Sequence, residues 1–187
     1  MDLTKQVKDR LAKPIVLIGF MGCGKSTLGS LLARRSGAVF VDLDVLIAKK
    51  AGRTIPEIFA RQGERGFRRL ESQVLKAQLH PGRVLAAGGG LVTIPLNREL
   101  LRSRRAHVVW VDVSWPSLWQ RLEEGRKGAR PLLADKATGK PRSAAAVRRL
   151  WSARRAVYRE TANVRLVVRK GEPPGATEAR LCKLLGL

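Results

Sequence analysis

Residues Gly19-Phe20-Met21-Gly22-Cys23-Gly24-Lys25-Ser26 fit the pattern G-x-x-x-x-G-K-[ST], between an apolar run and a segment of helical spacing. That order of residue types suits phosphate. Glycines let successive backbone N–H groups turn inward, and the start of the following helix adds its positive dipole end. A lysine at position 25 reaches the β- and γ-phosphates, and a Ser26 hydroxyl can ligate Mg²⁺. The run therefore predicts binding of a nucleoside triphosphate. Cys23 has two readings, a thiol activated by the helix end or a small residue filling a variable position, and the second is favoured.

Phosphoryl transfer also needs a carboxylate near the metal and another to orient or deprotonate the attacking hydroxyl. Asp42 and Asp44 close the second apolar run, at the carboxyl edge of a parallel sheet, where ligands gather. They can fill both roles, although a helix N-cap at Asp44 is an equal alternative. Asp112 ends another strand, but no glycine loop follows it. Gly88-Gly89-Gly90 follows a strand directly and allows a ligand to approach the backbone closely. Arg68, Arg130 and Arg154 are single cations among many, with no local signal to separate them from surface arginines.

The elements that must hold these residues alternate. Strands are predicted at Ile15–Ile18, Ala38–Val41, Arg83–Ala87, His107–Val113 and Val164–Val168. Helices are expected over residues 1–13, from Lys25 to Arg35, in two or three pieces over 43–79, and near Leu96–Arg102. Further helices are expected at Ser117–Glu124, Ser143–Glu160 and Ala176–Leu185. Residues 125–142, broken by Gly125, Gly128, Pro131, Gly139 and Pro141, read as a mobile basic loop. The alternation predicts an α/β fold around a parallel sheet of about five strands, in one domain spanning residues 1–187.

Composition narrows the classes. The 187 residues are 44% hydrophobic and 28% charged, which excludes a disordered chain. No apolar run is long enough for a membrane span, and the start lacks a secretory h-region, so a cytoplasmic protein is expected. Two cysteines make neither a disulfide framework nor a four-ligand zinc site. Lys+Arg 37 against Asp+Glu 15 gives a net charge of +22, which attracts anions of every kind. Aromatic residues are only 5% and do not interleave the basic ones, a poor match to a nucleic-acid stacking face.

Taken together, these residues resemble the shikimate kinase family from about Pro14 to Leu185. The shared segments are the glycine-lysine loop, Asp42-Leu43-Asp44, Ile55-Pro56-Glu57-Ile58-Phe59, Phe67-Arg68-Arg69-Leu70-Glu71, Gly88-Gly89-Gly90, Arg130-Pro131-Leu132-Leu133, and Arg154 four residues before Tyr158. The resemblance implies a P-loop, nucleoside-monophosphate-kinase-like fold with strand order 2-3-1-4-5 and a lid over about 125–142. It implies transfer of the ATP γ-phosphate to the 3-hydroxyl of shikimate, with Mg²⁺. Asp44 is then the base and substrate ligand, Lys25 and Arg130 the groups on the transferring phosphate, and Ser26 and, through water, Asp42 the metal partners. Arg68 and Arg154 grip the shikimate carboxylate, with Gly88, Gly89 and Gly90 as its cradle. Gly22, Cys23, Gly24, Lys25, Ser26 and Thr27 would hold ATP phosphates, Arg130 would close on them, and Arg126 and Pro174 would flank adenine.

Some positions depart from the family pattern. Ala156 stands where a proline is usual, and the segment between Leu133 and Arg154 is several residues longer. A gluconate-type, nucleotide or other small-molecule P-loop kinase is the alternative within kinases, gluconate being another hydroxylated carboxylate; a non-catalytic, basic homologue that binds nucleic acid is the alternative from another class. A monomer with no specific nucleic-acid or membrane partner is expected.

Overall fold

In the computed structural model, residues 11–124 and 143–187 are described. The predicted helix over 1–13 falls mostly outside them, with residues 11–13 forming a turn and bend; the predicted lid over 125–142 is outside them entirely.

Five strands form one parallel sheet: β1 (Ile15–Ile18), β2 (Val39–Asp42), β3 (Arg83–Ala86), β4 (His107–Asp112) and β5 (Val164–Val167). Their order is β2-β3-β1-β4-β5, as the family resemblance implied. All four residues of β1 are buried, which is why that segment reads as an unbroken apolar run instead of an alternating one. The edge strands β2 and β5 are partly exposed.

Seven helices complete the described residues: α1 (Lys25–Ser36), α2 (Leu43–Ala51), α3 (Ile55–Gln78), α4 (Pro95–Ser103), α5 (Trp115–Glu124), α6 (Ala144–Thr161) and α7 (Pro174–Leu185). Local chemistry sets their ends. Thr54 caps α3 through a reciprocal box with Glu57, with Pro56 in the first turn. Gly63, at φ 65° and ψ −175°, breaks the helical geometry inside α3, which splits the stretch after β2 into three pieces, within the two or three expected. Helix α7 starts two residues earlier than predicted because Pro174 serves as its first residue, where the missing N–H costs nothing. A short 3₁₀ turn at Leu91–Thr93, which the sequence did not suggest, carries the chain from the glycine triplet into α4.

The topology brings the carboxyl ends of the strands to one edge. Gly19 follows β1, Asp42 ends β2, Gly88 to Gly90 follow β3 and Asp112 ends β4. On that edge Asp112 accepts from both Arg155 nitrogens, at 2.6 and 3.1 Å, and from Arg165 at 2.7 and 3.0 Å. The Arg155 guanidinium lies over the rings of Trp110 and Trp151, at 5.0 and 4.7 Å from their centroids. This network fastens α6 to β4 and β5.

Candidate active site

The loop between β1 and α1 wraps tightly. Gly19 has φ +145°, and a Cβ there would lie 2.7 Å from the Val111 carbonyl oxygen, so a side chain does not fit. Gly24, at φ +96°, is the left-handed residue that precedes α1. Lys25 Nζ turns back over the loop and donates to the carbonyls of Gly19 and Phe20, at 3.0 and 2.9 Å. Cys23 is buried in the core, as expected of a small filler.

Ser26 Oγ donates to Asp42 Oδ2 at 2.6 Å. The other oxygen, Asp42 Oδ1, accepts from the backbone N–H of Asp44 and Val45. Asp42 is therefore the N-cap of α2, and Asp44 lies within the helix's first turn. This corrects the alternative reading of Asp44 as the cap: Asp42 both ends the strand and caps the helix, which therefore begins at Leu43, two residues sooner than an Asp44 cap would give. Relieved of capping, the Asp44 side chain points into a pocket.

That pocket has a volume of about 300 Å³, the lower end of the range for small-molecule sites. Lys25, Ser26, Asp42 and Asp44 form one side, and Arg68, Glu71 and the glycine triplet form another. Arg68 Nη1 donates to Glu71 Oε2 at 2.7 Å, and Glu71 is fully buried. The triplet fits between these charges. A Cβ on Gly88 would lie 2.6 Å from Glu71 Oε1 and 2.9 Å from Asp44 Oδ1; one on Gly90 would collide with the Arg68 guanidinium. A Cβ on Gly89 would lie 3.6 Å from Arg154 Nη1. Helices α3 and α6, with residues 79–143 between them, thus deliver Arg68 and Arg154 to the same three glycines.

Three buried polar atoms here have no hydrogen-bond partner: Asp44 Oδ1, Glu71 Oε1 and Arg154 Nη1. Burial pushes the Asp44 carboxyl above its ordinary range, and the neighbouring Asp42 charge adds to this against the pull of Lys25 and Arg68. Burial likewise raises Glu71, with the Arg68 charge opposing it. Ile55, Phe59 and Phe67 give the pocket an apolar wall, with the two phenylalanine rings stacked at 4.6 Å. Such a cavity suits a small anion that carries hydroxyls and one apolar ring face.

A second cleft, of about 350 Å³, is lined by Gly22, Gly24, Thr27, Arg121 and Pro174 among others. Arg121 Nη1 donates to the Cys23 carbonyl at 3.4 Å, which ties α5 to the loop. Sequence reasoning placed Pro174 here but missed Arg121, whose one visible signal is its place beside Leu118 and Leu122 on the buried side of α5. Arg126 and Arg130 lie outside the described residues.

A phosphate loop at the centre of a 2-3-1-4-5 parallel sheet, with an anion-binding pocket beside it, defines a P-loop kinase that acts on a small molecule. The sequence model of the family described as Shikimate kinase matches residues 21–182. A Shikimate kinase of Synechococcus elongatus is 41% identical over 172 residues, covering 91% of this chain and 85% of its own. Among solved structures, the Shikimate kinase from Acinetobacter baumannii in complex with shikimate is 34% identical, with a TM-score of 0.78 over 93% of both chains. That from Bacteroides thetaiotaomicron is 30% identical, with a TM-score of 0.82 over 93% of this chain and 98% of its own. The chain belongs to the shikimate kinase family.

Proposed function

We propose that the protein transfers the γ-phosphate of ATP to the 3-hydroxyl of shikimate, giving shikimate 3-phosphate and ADP. One observation carries the assignment of the acceptor pocket: a carboxylate with an unpartnered oxygen, Asp44 Oδ1, faces the same glycine triplet as two buried arginines. Arg68 and Arg154 hold the carboxylate of shikimate, a planar anion matched to guanidinium. The apolar wall of Ile55, Phe59 and Phe67 takes the ring. Asp44 accepts the proton of the attacking hydroxyl as that oxygen bonds to the γ-phosphorus and the bond to the β–γ bridging oxygen breaks. Lys25 turns from the loop carbonyls onto the phosphate oxygens, and Gly22 to Thr27 supply backbone and hydroxyl donors.

Ser26 and Asp42 fit Mg²⁺, since two hard oxygens 2.6 Å apart suit a cation that keeps water and phosphate oxygens as its other ligands. When bound, the ion neutralises charge on the β- and γ-phosphates. Arg121 and Pro174 flank the adenine in the second cleft. Arg130, outside the described residues, would stabilise the transferring phosphate, and Arg130→Ala is then expected to lose most turnover. Among the described residues no helix is long and apolar enough to cross a membrane, and we assign the protein to the cytoplasm as a monomer.

The test is ADP release from Mg²⁺-ATP with shikimate, gluconate and nucleoside monophosphates as acceptors. Turnover confined to shikimate is the expected result. Turnover with gluconate instead would keep the phosphate loop and overturn the acceptor assignment.

A further inference from the structure

The hydroxyl of Tyr158 donates to the carbonyl of Gly89 at 2.5 Å, across 69 residues of sequence. Tyr158 is 2% exposed, and its ring packs against Trp110 at 6.1 Å between centroids. It lies one turn along α6 from Arg154, whose charge is felt at the same hydroxyl. Gly89 in turn faces Arg154 Nη1, a buried atom without a hydrogen-bond partner. One hydroxyl therefore joins the middle of the glycine triplet to the helix that carries the second arginine. The triplet has no side chains of its own to fix its orientation, and three adjacent glycines have unusual backbone freedom.

We propose that Tyr158 is a positioning residue for the acceptor: its hydroxyl pins Gly89 and holds Arg154 in register with the triplet, so that the acceptor carboxylate meets a preformed site. The proposal rests on the assignment of Arg154 and the glycine triplet to shikimate. Tyr158 touches neither ATP nor the reacting atoms; it acts on binding of one substrate.

Tyr158→Phe keeps the ring and removes only the hydroxyl. The variant should raise KM for shikimate about fivefold, the size expected of one lost buried hydrogen bond, and leave KM for ATP within about twofold of the parent. KM does not depend on the fraction of protein that is folded, so a general loss of stability would lower apparent kcat without producing this split. A double-mutant cycle with Arg154→Lys separates action through Arg154 from a local effect. In the Arg154→Lys background, Tyr158→Phe should change KM for shikimate by less than about twofold. An unchanged KM for shikimate, an equal rise in both KM values, or the full effect in the Arg154→Lys background would each overturn the proposal. Wild-type protein assayed in parallel keeps the two failures apart: no turnover of shikimate there would indict the acceptor assignment instead.

Discussion

Two acid–arginine clusters lie along the same edge of the sheet, and they are built in opposite ways. Asp112, with Arg155 and Arg165, has both carboxylate oxygens occupied by four donors, and none of its buried polar atoms lacks a partner. Asp44, Glu71, Arg68 and Arg154 leave three buried polar atoms unpartnered and two carboxyls raised by burial. Orphaned buried polar groups are costly, so a fold that saturates one ion cluster and leaves its neighbour unsaturated supports the proposal that the second awaits a ligand. The first cluster anchors α6; the second uses what α6 presents.

The contrast is broken most severely at Asp44. Asp44→Asn keeps the shape and removes the base, so kcat with shikimate should fall by about 10³-fold while ATP binding persists. Unchanged turnover would remove Asp44 from its assigned role. The same substitution at Asp112 should act on stability instead. It leaves Arg155 and Arg165 without their shared counter-charge, a loss we place at about 2 kcal/mol because both arginines keep some contact with water. Denaturant unfolding measures it, and the folded Asp112→Asn protein should retain KM for ATP. Third in size, Arg154→Lys gives up the planar fork and should raise KM for shikimate about tenfold.

How legible these clusters are in the sequence differs as much as their chemistry. The phosphate loop, the Asp42-Leu43-Asp44 step and the glycine triplet follow strands directly, so local order alone places them on the sheet edge. Strand ends are also visible to within a residue or so, because buried parallel strands are short apolar runs closed by glycine or aspartate. The arginines are another matter. In a chain with 37 basic residues, type and spacing do not single out Arg68, Arg121 or Arg154, and it was the family resemblance that pointed to two of them. A signal was nonetheless present. Arg154 shares the buried face of α6 with Val147 and Tyr158, and Arg68 follows Phe67 on the buried face of α3. An arginine in the apolar phase of an amphipathic helix must have a partner or await one. Glu71 escaped notice as a site residue because its burial depends on packing between α3 and the triplet, which no local pattern reports. The kink at Gly63 and the capping by Asp42 depended on backbone geometry in the same way.

The smallest expected effect concerns pH and sharpens the contrast thermodynamically. Asp44 must be ionised to accept a proton, and burial together with Asp42 raises its pKa above the usual 3.8. The acid limb of kcat/KM for shikimate should therefore fall away at a pH above that value, and Asp44→Asn should abolish the limb along with the activity. Stability runs the other way. Below the unfolded pKa both states hold the proton and the group contributes no difference. Between the unfolded value and the raised folded value the native state binds more protons than the unfolded chain, so the free energy of unfolding declines as pH rises. Above the raised value the penalty is complete. Asp44→Asn carries no such charge, so its thermal midpoint should exceed that of the parent at neutral pH, and the gap should narrow as pH drops through this window. A gap of constant size, or of opposite sign, would mean that the Asp44 carboxylate is stabilised by its surroundings even without ligand, as Asp112 is by its arginines. The distinction between a cluster built to hold the fold and a cluster built to await an acceptor would then fail at its central residue.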